Sequence, residues 1–145
     1  MLDLPIKSLM EPEKLILVSP TTTVSEAARL MASRNCGAVL VIDNQKLVGI
    51  FTERDAVFRV IAKGHDAAQV LIHEVMTPSP ATLAPGRSYG HALFLMHEKG
   101  FRHVPVVDND RVVGIIAARN AMDPQLEDFV SEARRREHYR EIGTK

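Results

Sequence analysis

The chain has 145 residues, 46% hydrophobic and 25% charged, which suits one globular domain or two small halves sharing a buried core. Eighteen basic residues balance eighteen acidic ones, so no net positive field argues for nucleic acid, and the apolar runs are too short to cross a membrane. A single cysteine excludes an intrachain disulfide, and the opening MLDLPIKSLM lacks a signal-peptide pattern, so the expectation is a soluble, cytoplasmic protein.

In chain order, LILVS (15–19) reads as a short lead-in strand, and TVSEAARLMASRN as a helix. Thr23 followed by Glu26 is a capping-box start, and Val24, Ala27, Ala28, Leu30 and Met31 share a helical face. Cys36 falls on the approach to an apolar strand, where a buried structural thiol is expected. AVLVID is that strand, Asn44-Gln45 a tight turn and KLVGIF the returning strand. Thr52 then opens a second helix, with Thr52 and Asp55 again at capping-box spacing. The sequence next predicts a lead-in strand at PATLA, a helix over 87–99, strands at 103–107 and 111–116, and a helix from about 118. Asp123 and Pro124 mark the start of a terminal helix with an apolar stripe of Leu126, Phe129, Val130 and Ala133. Acidic residues interleave with Arg134, Arg135 and Arg136, so this run reads as a solvated face.

The second half of that order repeats the first. Val39–Val57 aligned on Val104–Met122 gives nine identities in nineteen positions without a gap. Upstream, SLM at 8–10 matches EVM at 74–76, and Leu30-Met31 matches Leu95-Met96. Each unit runs strand, helix, strand, strand, helix, and each leaves one sheet face uncovered. The fold class is therefore α+β, with two β-α-β-β-α units packed sheet to sheet about a pseudo-twofold axis. The divisions are 1–66, 67–123 and a C-terminal helix and tail over 124–145.

GIFTERD at 49–55, set in this duplicated frame with FRHVPVVDNDRVVGII, resembles the ligand signature of CBS (cystathionine-β-synthase-type) domains. The likeness covers roughly residues 4–122. It implies a tandem pair, or Bateman module, whose two clefts bind adenosine-containing ligands: AMP, ADP, ATP or S-adenosylmethionine. It implies no metal, no catalysis, and homodimers formed through the helices, with Leu30, Met31, Leu95 and Met96 as exposed apolar positions.

The residues themselves fit this role. A carboxylate at Asp55 suits the vicinal hydroxyls of a ribose, and Thr52 at a helix start suits a phosphate. The plainer reading stands beside it: Thr52 and Asp55 cap a helix, worth about 1 kcal/mol with no ligand at all. In the second copy Ala117 and Asn120 replace them, so one competent cleft and one weak or empty cleft are expected. By resemblance, Arg102 and His103 reach ligand phosphates, with Arg119 and Arg54 as further candidates. Arg102 equally reads as a strand-end charge, and His103 as a partly buried, hydrogen-bonded ring. The adenine slot falls to Thr21, Thr22, Gly37, Ala38 and Val39, although ordinary core packing suits Val39 better. His65, His73, His91, His97 and His138 show no metal spacing and read as surface residues.

Two functions are compatible with these residues. One is a stand-alone sensor that binds an adenosyl ligand and acts on a separate protein or on its own assembly. The other is a ligand-free structural or oligomerisation module.

Overall fold

The computed structural model describes residues 2–120, with Asn120 by its backbone alone, together with Phe129 and residues 132–138. The expected helix start at Asp123 and Pro124 lies outside the described residues. Residues 132–138 are helical, and Arg134, Arg135 and Arg136 are exposed there.

Local chemistry sets the elements. Thr23 Oγ1 accepts from Glu26 N at 3.2 Å and opens α1 (Val24–Arg34), which Asn35 ends in the left-handed region at φ 52°. A hairpin comes next, β2 (Ala38–Asp43) and β3 (Lys46–Thr52). Its turn residues Asn44 and Gln45 both have positive φ, the two-residue geometry that matches strand twist. β1 (Leu17–Val18) joins β2 in parallel. After the single-turn α2 (Glu53–Asp55) and α3 (Ile72–Val75), β4 (Thr77–Pro78) joins β3 and completes a sheet of order β1-β2-β3-β4.

The second repeat uses the same devices. Ser88 caps α4 (Tyr89–Lys99) by accepting from His91 N, and Gly100 closes it at φ 76°. β5 (His103–Asp108) and β6 (Arg111–Ala117) pair through a turn at Asn109 and Asp110, again with positive φ.

Three expectations need correction. PATLA forms only an isolated parallel bridge, Leu83 to Val106, because Pro85, where the next ladder donor would stand, has no N–H. The helix after Thr52 is α-helical for one turn and then a π-helix over Ala56–Ile61, with Ala62 N donating to Val57 O at 2.9 Å. In the second repeat the described part of the matching segment, Ala118–Asn120, is a 3₁₀ turn, and the rest of the helix expected from about 118 lies outside the described residues.

Strand alternation divides each sheet between two cores. Ala38, Leu40 and Ile50 of the first sheet meet Ile115 of the second, forming the layer between the sheets. On the outer faces, Val39, Val41 and Phe51 lie under α1, while Val104, Val106 and Ile116 lie under α4. The buried stripes of these helices are Val24, Ala27, Met31 and Tyr89, Ala92, Met96. Met31 and Met96 are therefore core residues, contrary to the exposure expected of them, because they continue the i, i+3, i+7 face. Leu95 is partly buried against the second core, whereas Leu30 is exposed.

The connections cross between repeats. Ile6, wholly buried, belongs to the second core, and Ile6 N donates to Arg87 O at 2.8 Å. Ile72, Val75 and Met76 belong with the first. Met76 lies on Gly49 and Met10 on Gly114, each so close that a Cβ at the glycine would collide with the sulfur. These glycines are thus required for close approach rather than for backbone freedom. Ile6→Ala should destabilise the chain by about 2–5 kcal/mol in urea unfolding, as for a core truncation. A loss below about 0.5 kcal/mol would mean the N-terminal strap is not part of the second core.

Candidate functional site

Where β3 ends, the chain turns into α2 through a reciprocal cap. Thr52 N and Thr52 Oγ1 donate to Asp55 Oδ2 at 2.9 and 3.3 Å, and Thr52 Oγ1 accepts from Asp55 N at 3.5 Å. Asp55 is the one buried charged residue among those described, at 8% exposure. Its other oxygen, Oδ1, lies 3.5 Å from Arg59 Nε, one helical turn on. The plain capping role is thus realised. Each carboxylate oxygen can accept more than one hydrogen bond, so a ligand hydroxyl still has acceptor capacity to use.

This corner forms one wall of a cleft of about 700 Å³. Thr52 to Asp55 and Arg59 line it on the first-repeat side, with Gly37 and Ile50. Thr77, Ser79, Pro80 and Ala81 come from the segment joining the repeats. Lys99, Gly100, Phe101, Arg102 and His103 come from the end of α4 and the start of β5. The size suits a small organic ligand. Four fixed cations, Arg54, Arg59, Lys99 and Arg102, line the cleft with only two carboxylates, Glu53 and Asp55, a balance that suits an anion. Ser79, in the left-handed region at φ 47°, is a strained non-glycine residue at this lip.

The structure brings together Gly37, Thr52, Arg54, Asp55, Arg102 and His103 of the residues singled out from sequence. The others lie elsewhere. Thr21 and Thr22 hydroxyls pair with Ser19 Oγ at 3.2 Å and do not line the cleft. Val39 is fully buried in the first core, and Ala38 sits in the layer between the sheets. Arg119 lies at the other cleft, and the Asn120 side chain is outside the described residues. The histidines at 65, 73, 91, 97 and 138 are exposed, and no group among the described residues could hold a metal ion.

The cleft residues missed from sequence are Ile50, Glu53, Arg59, Lys99, Gly100, Phe101 and, from the 77–81 segment, Thr77, Ser79, Pro80 and Ala81. Arg59 carried a signal, its i+4 spacing from Asp55. The 77–81 segment carried none, since its place depends on the crossed connection.

The pseudo-symmetric position, lined by Ile115, Ala117 and Arg119 with Lys14, Cys36 and Gly37, holds only about 20 Å³. The chain's own cations close it. Lys14 Nζ donates to Arg34 O and Asn35 O, both at 3.0 Å, and Arg119 Nη2 donates to Asn35 O at 2.9 Å. Arg34 Nη1 reaches Leu15 O at 3.1 Å. The carbonyls at the C-terminal end of α1 are natural partners for cations. In the open cleft, Ser79 and Pro80 stand where Lys14 would, and Arg54 lies over the Phe58 ring, 5.0 Å from its centroid. Cys36 Sγ donates to Lys14 O at 3.3 Å, and burial pushes the thiol above its ordinary value, as expected of a structural thiol.

The sequence profile of the CBS domain family matches residues 6–62 and 72–124. The CBS domain-containing protein YhcV of Bacillus subtilis is 39% identical over 100 residues, covering 69% of this chain and 71% of that protein. The meiotically up-regulated gene 70 protein of Schizosaccharomyces pombe is 40% identical over 116 residues. That match covers 79% of this chain but only 16% of the yeast protein, so the likeness is to one part of a much longer molecule. Among solved structures, the CBS domain pair of protein MJ0100, in complex with 5′-methylthioadenosine and S-adenosyl-L-methionine, superposes with a TM-score of 0.72 at 27% identity. The superposition covers 81% of this chain and 95% of that one.

His103 lines both the open and the closed cleft. Burial lowers its pKa below the ordinary 6.5, the Arg119 and Arg102 cations lower it further, and Glu53 opposes them. The unfolded chain therefore takes up this proton first as pH falls. The neutral ring's stability contribution is present above pH 6.5 and is lost as pH falls from there through the folded-state value. Melting temperature should decline between about pH 7 and pH 5, and His103→Gln should flatten that decline. Identical profiles for the two proteins would remove His103 as the cause.

Proposed function

Because the chain belongs to the CBS domain family, we propose that it is a regulatory module whose open cleft at the GIFTERD corner binds an adenine nucleotide. The observation carrying this reading is the composition of that cleft. Thr52 and Asp55 stand on one side, Lys99 and Arg102 on the other, and enough volume for a nucleoside and its phosphate lies between them. Asp55 takes the ribose hydroxyls, and the cations balance the phosphates. The excess of cations favours AMP, ADP or ATP over S-adenosylmethionine, whose sulfonium is itself positive. The MJ0100 pair, bound to two adenosyl compounds, supports the adenosyl class in general.

The closed second position supports one ligand per chain. Ala117 supplies no hydroxyl there, and Lys14 and Arg119 already occupy the space. Regulation requires a difference in ligand affinity between two states of this chain or of a separate partner. In calorimetry, AMP, ADP or ATP should bind with a stoichiometry of one. Ligand at 100 times its dissociation constant should stabilise the fold by about 2.7 kcal/mol. Asp55→Ala should weaken binding at least ~10-fold, the size of one charge-assisted contact. Two equal sites, or a flat response to all three nucleotides, would overturn the reading.

A second reading, assembly without a ligand, draws on the exposed apolar side chains of the helical layer. Val57, Phe58 and Ile61 on the π-helix, with Leu30 on α1 and Phe94 on α4, are all open to solvent. Exposed apolar side chains of this kind suit a homodimer contact, which is compatible with nucleotide binding. Sedimentation at tens of micromolar should give twice the 16.1 kDa chain mass, and Phe58→Asp should return the monomer. A wild-type monomer under these conditions would exclude this contact.

A further inference from the structure

Arg59 is the one cation of the open cleft tied at the same time to the acidic residue of the GIFTERD corner and to the segment joining the repeats. Its Nε lies 3.5 Å from Asp55 Oδ1. Its Nη1 donates to Val75 O at 3.2 Å and to Met76 O at 3.0 Å, the carbonyls at the C-terminal end of α3. Both contacts follow from the fold: the π-helix carries Arg59 past Asp55, and Met76, seated on Gly49, brings the end of α3 beside it.

Two consequences meet at this guanidinium. Asp55 is held at both oxygens, Oδ2 by Thr52 and Oδ1 by Arg59, so its orientation is set before any ligand arrives. The chain immediately after Met76 supplies Thr77, Ser79 and Pro80 to the cleft, so the same side chain anchors that wall. Sequence asymmetry agrees. Counting 65 residues on from Thr52, Asp55 and Arg59 gives Ala117, Asn120 and Pro124, so the second copy lacks all three side chains together.

We propose that Arg59 is a positioning residue of the open cleft, holding Asp55 in the orientation from which it accepts a vicinal hydroxyl pair. The proposal rests on the nucleotide reading above. Arg59 acts through Asp55 and need not touch the ligand. Preorganised acceptors bind more tightly because no reorientation is needed on binding. Its side chain is 49% exposed, so its removal opens no core cavity, and urea unfolding of each variant separates a loss of stability from a loss of binding.

The test compares AMP with 2′-deoxy-AMP by calorimetry on the full chain, for wild type, Arg59→Met, Arg59→Lys and Asp55→Asn. Arg59→Met should weaken AMP about tenfold and 2′-deoxy-AMP much less, so the preference for the intact hydroxyl pair shrinks. Arg59→Lys, which keeps a cation within reach of Asp55, should recover part of that preference. In an Asp55→Asn background, Arg59→Met should cost little more, as expected of residues acting in one unit. Equal weakening of both nucleotides by Arg59→Met, with an unchanged preference, would show a direct phosphate contact or a general structural role and overturn the proposal. Unchanged AMP affinity in Arg59→Met would overturn it as well. Failure of the wild type to bind AMP would overturn the nucleotide reading itself, a distinct result visible before any variant is made.

Discussion

Two methionine–glycine contacts organise the molecule. Met76 on Gly49 and Met10 on Gly114 press the segment before each lead-in against the hairpin of the opposite repeat. The absence of a side chain at each glycine lets backbone and thioether approach, and Met is well suited to fill such an irregular gap. Once these contacts form, the stretch of chain after each methionine is committed to one wall of a cleft. After Met76 come Thr77, Ser79 and Pro80; after Met10 come Glu11 and Lys14. The repeats therefore share elements instead of folding side by side, and Ile6 can stand in the core of the repeat more distant in sequence.

The difference between the clefts comes from a few side chains on a common frame. Lys14 is long enough to reach the carbonyls at the end of α1, and Arg119 joins it there. Those contacts satisfy helix-terminal acceptors and fill the space at once. At the related lip, Ser79 and Pro80 cannot span the gap, and Arg54 lies over Phe58. One cleft is thereby self-satisfied while the other stays open, with Thr52 and Asp55 locked to one another at its edge. Capping uses only part of the carboxylate's acceptor capacity, so the local reading and the proposed one do not compete.

Much of this was legible in the sequence because it depends on short-range chemistry. The hairpins with their paired turn residues, the Thr23 cap and the Thr52–Asp55 cap all follow from spacings of two to four residues, and the duplication from a gapless match at a 65-residue offset. So did the meeting of Thr52 and Asp55, and the strand entry at Arg102 and His103. Thr21, Thr22 and Val39 were placed by analogy instead, and here the first two bond Ser19 while the third fills a core. Met31 and Met96 were misjudged because an amphipathic stripe shows which face is apolar, not how far around the helix the neighbours reach. The π-helix after Asp55 was not legible either, since its hydrogen-bond register is decided by what packs against it.

By itself, the sequence determined two copies of one α+β unit, their local elements, and the polar asymmetry between GIFTERD and GIIAARN. Its information is carried by residues close along the chain, where periodicity and capping act. Which cleft stands open, and which cations close the other, was decided only in three dimensions. Lys14 meets Asn35 across 21 positions and Arg119 meets it across 84, and no local pattern encodes contacts at those separations. They arise because the crossed connections bring both cations to the end of α1, where unpaired helix carbonyls hold them.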